Sequence, residues 1–404
     1  MANRNGGFIG TDGLDAPDPP TDVTPTAGDT QLSIAFTAPA DAGTSAITGF
    51  VAQVASSGDN YSAGSNTGSS SPIVVSSLSN GTSYTAKVWA INAYGTSAPS
   101  DASASATPLT PTIGLLAGGY SGSATLNVIQ KLIITTAGNS TDFGDLSSTR
   151  NQCSGSSSST RAVFGGGEES VPVNTMEYVT IANTGNATDF GDMVAAHNSR
   201  GACANDTRLV FAGGEKYSGG SRSSSNVIDY ITIASTGNAT DAGDLSAAIN
   251  TTVGFSNTTR AVYHLASGSN LDTIEFTTFS STGDTSDFGN LSVSRSSTAA
   301  CCSSTRGIVS GGYVSSDNSN VIDYVTTAST GNATDFGDLD TATRSHTGVS
   351  DKTTGVFCGG VANPKNHMQS ITMASTGNAS DFGTLVQATS ARDAGASDSH
   401  GGIA

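Results

Sequence analysis

Basic side chains are scarce in this chain: 16 Lys and Arg stand against 33 Asp and Glu, giving a net charge of −17 with no basic run anywhere. Such a surface repels a phosphate backbone, so no nucleic-acid partner is expected. Long apolar runs are missing as well. No stretch approaches the ~18 apolar residues needed to cross a bilayer, so membrane insertion is not expected. The N-terminal MANRNGGFIGTDG lacks the roughly 7–15-residue apolar core of a secretory signal. Synthesis in a host cytoplasm and release by lysis are the expected route outward. Aromatics make up 6% of the chain, with one Trp, so the interior must be assembled from Val, Ile, Leu, Ala and a few placed Phe and Tyr.

The five cysteines, an odd number, fall at Cys153, Cys203, Cys301, Cys302 and Cys358. Cys153 and Cys203 each follow an Arg by three residues (Arg150, Arg200), which places them at the same point of successive repeats. Equivalent points on neighbouring sheets exceed the ~7 Å Cα limit for a disulfide, and no CxxC pair of zinc type occurs. Small buried thiols are expected. The five histidines show no HExxH, and no GxSxG or Walker loop is present. No catalytic residue, metal or cofactor is assigned, and a non-enzyme is expected.

What the chain does have is Gly, Ser, Thr, Ala and Asn in abundance, which favour short strands and tight turns over helices. One segment recurs six times: GNSTDFGDL from Gly138, GNATDFGDM from Gly185, GNATDAGDL from Gly237, GDTSDFGNL from Gly283, GNATDFGDL from Gly331 and GNASDFGTL from Gly377. The spacings are 47, 52, 46, 48 and 46 residues, the period of one propeller blade. Each period also holds an apolar run ending in a glycine pair (LLAGG, VFGGG, VFAGG, IVSGG, VFCGG) and an alternating strand with Tyr178, Tyr230 or Tyr324. An Arg (Arg150, Arg200, Arg295, Arg344, Arg392) then opens a Ser/Ala/Gly-rich run. Four short strands per period follow. Glycine suits the turn and Asn is expected to cap it through its side chain. The recurrent Phe (Phe143, Phe190, Phe288, Phe336, Phe382) is expected to fill the seam between blades, worth about 1.5–3 kcal/mol per ring. Repeat three, with Ala242 for Phe, and repeat four, with His264-Leu265 in place of the glycines, are expected to pack less regularly. The first period lacks its Ser/Ala-rich strand while the chain ends on a spare one at Arg392–Ser399, which is expected to complete the first blade and remove an exposed edge.

These features resemble the kelch family, with Phe where kelch repeats carry Trp and a longer Tyr-to-aromatic spacing. The resemblance implies a six-bladed kelch-like β-propeller over residues 113–404. The STGNATDFGDL wording is similar to repeats in large virion proteins of tailed phages of marine bacteria and cyanobacteria. That likeness implies a structural protein on the particle surface.

From Pro19 to Pro108 the sequence is similar to fibronectin type III: Pro19-Pro20, LSIAF, ITGFVAQVA, and NGTSYTAKVWAINAYGTSAPS with Tyr84 at the tyrosine-corner position. Phe36 stands where that family has Trp, and Trp89 appears later. The expected organisation is a tail at 1–16 that docks to other virion proteins, an all-β sandwich at 17–108, a linker at 109–112 and the propeller.

Paired carboxylates such as Asp142/Asp145, Asp189/Asp192 and Asp335/Asp338 suggest calcium, but two per repeat, with the pair disturbed around Asp244 and Asp287, fall short of the roughly six to eight ligands required. Asn186, Asn238 and Asn332 match the glycosylation pattern formally; turn chemistry explains them better without an export signal. The longest insertions, Glu168–Asn174, Glu215–Asn226 and Tyr313–Asn320, all follow a glycine-pair strand and so share one side of the ring. Tyr217, Arg222, Tyr313 and Asp317 are the candidate contacts for a host-surface polysaccharide or protein. Three functional classes follow: a tail-fibre, head-fibre or capsid-decoration protein serving host adhesion; a bacterial adhesin or carbohydrate-binding lectin; and a kelch-fold carbohydrate-active enzyme.

Overall fold

The computed structural model describes residues 14–267, 272–390 and 393–403, and every element among them is a β-strand. The chain divides between Pro111 and Thr112 into two compact units.

The first unit is a sandwich of two antiparallel sheets. One joins Thr21–Gly28, Gln31–Thr37 and Ile73–Ser76; the other joins Gly64–Gly68, Ile47–Ala55, Thr85–Asn92 and Gly95–Thr96. Alternation decides which side chains enter the core, because successive strand residues face opposite ways. Leu32, Ile34 and Phe36 point in from one strand, and Ala86, Val88 and Ala90 from another. Phe36 packs on Phe50 with ring centroids 4.8 Å apart. Trp89 falls on the opposite parity to Val88 and Ala90 and is only half-buried, so the core aromatics are Phe36 and Phe50. The Tyr84 hydroxyl accepts the Ser79 N–H at 3.1 Å, the tyrosine-corner bond. The sandwich reaches further at both ends than the sequence suggests. Asp15 O accepts the Asn92 amide, Leu109 N donates to Gly28 O, and Thr110 Oγ1 accepts from Asn80. Half of the expected linker thus belongs to the sandwich, while residues 1–13 of the expected docking tail lie outside the described residues.

Among the described residues the second unit holds six antiparallel sheets of four or more strands and one two-stranded hairpin, Tyr313–Val314 with Asp317–Asn318. In sheet two the order is Ser154–Ser157, Arg161–Gly165, Thr175–Thr180 and Thr188–Asp192. Sheets four, five and six repeat it from Thr252–Ser256, Ala299–Cys302 and Thr347–Ser350. Sheet three begins at Gly201–Ala204 and is extended by His197–Asn198 and Glu215–Ser218. In sheet one, Ile113–Ala117, Val128–Ile133 and Thr141–Asp145 receive as first strand Ala394–Ser397 from the far end of the sequence, with Ala394 opposite Ala117. Arg392, expected in that strand, lies outside the described residues.

Strand position within a sheet explains residue choice. First strands are built of small residues (SGSS, GACA, AACC, TGVS, AGAS, and TVGFS in sheet four) because they touch one another in cyclic order, with Ala394–Ser397 between Ser154–Ser157 and Thr347–Ser350. A Cβ on Gly254 would lie 2.8 Å from Ala202 O of the sheet before it. Second strands are apolar without alternation, since both faces are covered by neighbouring sheets. Fourth strands expose a Thr-Asp or Ser-Asp pair, and all but that of sheet three bury only the Phe.

Each apolar cluster lies between consecutive sheets. Phe190 of sheet two meets Leu209, Phe211 and Ile231 of sheet three, and Phe382 of sheet six meets Leu116, Leu132 and Ile134 of sheet one. Where Phe is replaced by Ala242, the cluster contains the fully buried Tyr263 of sheet four together with Phe279. At the register of Tyr263 the other sheets carry Leu116, Phe164, Phe211, Val309 and Phe357, so an aromatic there is nothing unusual. The added ring is Phe279, which makes the backbone bond that Ile134, Ile181, Ile233, Thr327 and Met373 make in the other sheets, and it stands in for the missing Phe of seam three.

The recurrent Gly-Asn turn does something its sequence does not show. Instead of capping its own turn, it docks on the outer strand of the preceding sheet. Gly185 N donates to Phe143 O, and the Asn186 carboxamide oxygen accepts Asp145 N at 3.1 Å. The same pair of bonds recurs at Gly237/Asn238, Gly331/Asn332 and Gly377/Asn378, and Asp284 substitutes at Gly283. Gly138 and Asn139 of sheet one make it to Phe382 and Thr384 of sheet six. The glycine of Asp-Phe-Gly receives the docked turn. Gly337, at φ 144°, would carry a Cβ 2.5 Å from Gly377 O.

Candidate functional site

The Arg-bearing segments that precede the first strands gather at one end of the cyclic array. Gln152, Ser199, Ser297 and Ser345 hold left-handed backbone there with φ of 54–55°. Ser199 N donates to Gln152 O and Ser345 N to Ser297 O, so these residues tie adjacent sheets around a central channel. Together with Asn250 they rim a cavity of about 300 Å³. Below it the channel narrows to about 110 Å³ between the small residues of the first strands.

The far end of the channel is closed by the chain itself. His400 Nε2 bonds Ser157 O at 2.8 Å, Gly401 N donates to Cys302 O, and Gly402 N donates to His400 Nδ1 at 3.1 Å. Burial pulls the His400 imidazole below its ordinary pKa, and Ile403 is buried beside it.

Over the open mouth lies a carboxylate–guanidinium–carboxylate bridge. Arg222, on the hairpin formed by Glu215–Ser218 and Ser221–Thr232, holds Glu168 and Glu215 at 2.6 Å each. Glu168 comes from sheet two and is fixed by reciprocal backbone bonds to Asn151. The buried Asn198 donates to Glu168 Oε2 at 2.8 Å. The bond from Arg222 holds the Glu168 carboxyl below its usual range, and the two carboxylates hold the guanidinium above its own.

Of the four residues that the sequence pointed to, only Arg222 lines this cavity. Tyr217 stands opposite Arg222 in the hairpin register. Tyr313 and Asp317 share a separate two-stranded hairpin between the second and third strands of sheet five, where Tyr313 pairs with Asn318 and lies 4.5 Å beneath the Arg344 guanidinium. Asp317 is exposed and caps Asn318 N. Sequence reasoning missed Glu168, Glu215 and the rim residues. A signal existed for the first two: each follows a glycine pair directly, in consecutive repeats.

Three of the recurrent arginines are structural. Arg150 pairs with Glu177, Arg200 with Asp229 at 2.7 Å and Arg295 with Asp323 at 3.1 Å, all buried. A second arginine set, unnoticed in the sequence, stacks on the third-strand aromatics: Arg161 on Tyr178, Arg208 on Tyr230, Arg260 on Phe276 and Arg306 on Tyr324, at 4.1–4.6 Å. Two expected equivalences are corrected by strand register. Cys203 lies within its first strand at the place of Cys301, whereas Cys153 precedes its own. In sheet four the glycine pair is replaced by Leu265-Ala266; His264 occupies the place of Gly165 and bonds Thr298 at 3.0 Å. All five cysteines are free and buried, and burial raises every thiol, Cys153 to about 11. Burial also brings His197 down to about 4, so its imidazole is neutral beside Arg200. Among the described residues no group of three or more His, Cys, Asp or Glu is arranged to hold a metal ion, and no helix is long and apolar enough to cross a membrane.

A search of proteins of curated function finds no match to the chain. The family model of the fibronectin type III domain matches residues 18–106, the span of the sandwich built around Phe36, Phe50 and the Tyr84 corner, and this part of the chain is a fibronectin type III domain.

Proposed function

We propose that residues 112–404 form a closed six-bladed kelch-like β-propeller, and that the protein is a non-enzymatic surface component of a tailed-phage particle that presents the channel mouth to the host. Support for the ring comes from three features that each return from sheet six to sheet one: the Gly-Asn docking bonds, the apolar seams and the cyclic contact of first strands. The virion reading rests on the STGNATDFGDL wording of the repeats. The observation that carries a role in recognition is the position of the polar bridge: Glu168, Glu215 and Arg222 lie at the channel end opposite the one that His400–Ile403 fills. Propeller faces are made of loops, which is where a rigid scaffold carries its function. The fibronectin type III domain and the N-terminal segment serve as spacer and attachment to other virion proteins.

Antibody raised against this chain and followed by electron microscopy tests the placement. Labelled tails, fibres or capsids on purified particles are expected, and absence of the chain from purified virions overturns it. Labelling of a bacterial surface in uninfected cells would favour the adhesin reading, for which the same mouth would serve.

A further inference from the structure

The geometry points to the channel mouth as a binding pit for the end of a neutral polysaccharide, taking one terminal sugar between the Glu168–Arg222–Glu215 bridge and the amide and hydroxyl rim. The inference rests on the recognition role proposed above and adds the ligand class. Size is the first argument: about 300 Å³ stands at the lower bound of small-ligand sites. The second is lining chemistry. The rim offers amides from Gln152 and Asn250 and hydroxyls from Thr251, Ser297 and Ser345, with no aromatic or aliphatic side chain among the lining residues. An apolar ligand gains nothing there, whereas hydroxyls find both donors and acceptors.

Charge narrows the class further. Two carboxylates and one guanidinium leave the bridge with a single net negative charge, and Arg222 directs three of its five donors to the two carboxylates. An anionic sugar would have to break that bridge or sit against its excess charge. A neutral sugar diol can donate to the outer carboxylate lone pairs and accept from the rim amides without disturbing it. Depth fixes which part of a polymer enters. The channel below is narrow and its far end is filled by His400 to Ile403, so a chain cannot thread through and only an end fits.

The test uses the full chain and titration by saturation-transfer NMR and calorimetry. The probes are galactose, glucose, mannose and N-acetylglucosamine, each free and as the non-reducing end of an oligosaccharide, with glucuronate as the anionic comparison. At least one neutral probe should bind, glucuronate should not, and Asn250→Ala and Glu215→Gln should each weaken binding at least tenfold with an unchanged unfolding transition. Lys352→Ala, exposed in the turn after a first strand at the opposite end of the channel, should have no effect. Absence of binding by every neutral probe, preference for glucuronate, or affinity indifferent to the two mouth variants overturns the inference. Should either mouth variant unfold, Asn250→Ser supplies the same reading. Virions that carry the chain but bind none of these sugars would refute the ligand class alone; sugar binding without virion labelling would refute the placement alone.

Discussion

Asp323→Gln is the sharpest test of how the six sheets are held together. Asp323 and Arg295 are fully buried, joined at 3.1 Å, and the Asp323 carboxylate also accepts Ser292 N at 3.2 Å and Ser292 Oγ at 2.6 Å. Removing the carboxylate charge strands a buried guanidinium, which costs roughly 3–5 kcal/mol. At about 2–4 °C per kcal/mol for a unit of this size, the melting point of the second unit should fall by roughly 6–20 °C. The molecule contains its own control. In sheet six the same position is Gln369, which serves Thr341 through neutral hydrogen bonds, and the place of Arg295 is taken by Thr343. Asp323→Gln combined with Arg295→Met recreates that neutral arrangement and should return to within about 1 kcal/mol of the parent, since a buried pair and its apolar replacement are often close in energy. Calorimetry measures both, with Trp89 emission marking the transition of the fibronectin type III domain, because Trp89 is the chain's one tryptophan. A single variant melting within about 2 °C of the parent, or a double variant as weak as the single, would refute the argument.

Gly337→Ala forces a Cβ to 2.5 Å from Gly377 O at a left-handed φ of 144°, and should cost about 1–3 kcal/mol in the same calorimetric transition. Ala242→Phe should overpack seam three by about 1–3 kcal/mol, and Phe279→Ile should open a cavity there; the double variant should be more stable than either single, as denaturant midpoints would show. Burial raises Asp398 to about 6, so the folded chain holds that proton more tightly than the unfolded one. Its contribution to stability is present below about pH 4 and is lost as pH rises through 6. Asp398→Asn keeps an acceptor for Ile113 N, so its stability relative to the parent should improve by on the order of 1 kcal/mol from pH 4 to 7. Asp393 is shifted the same way by burial and is present in both proteins, so urea titrations of the pair at each pH isolate Asp398.

Legibility followed repetition. Six copies of one phrase made the period and the strand count readable, and alternation exposed the inward faces of Leu32–Phe36 and Ala86–Ala90. What stayed hidden is partner identity. Asn186 has the same turn propensity whether it caps its own loop or, as here, takes Asp145 N from the sheet before. Register was hidden too: aligning on Arg misplaced Cys203, because the spacing from Arg to first strand differs between Arg150 and Arg200. The mouth was half legible. Arg222 stood out as a lone cation in a long insertion, but nothing local to Glu168 says that it will meet a hairpin 54 residues onward. The closing tail His400–Ile403 has no periodic pattern at all, since its bonds are to strand ends scattered over the whole unit.

The contrast between what repeats and what varies inside one chain separates scaffold from function without any relative for comparison. Docking bonds, seam aromatics and small first strands recur around the array, and where one copy departs the loss is compensated nearby, as Phe279 does for Ala242 and Asp284 for Asn. Fourth-strand edges, which would otherwise template pairing between molecules, each expose an Asp at Asp142, Asp189, Asp241, Asp287, Asp335 or Asp381. That accounts for part of the −17 charge as protection of edges and not as a ligand site. The segments after the glycine pairs behave in the opposite way: Glu168–Asn174, Glu215–Asn226 and Tyr313–Asn320 share neither length nor sequence. A fold that needs only closure tolerates any short turn there. Two of those three segments nevertheless converge, through Arg222, on one bridged cluster over the open end of the channel, a specific contact that ring closure does not require.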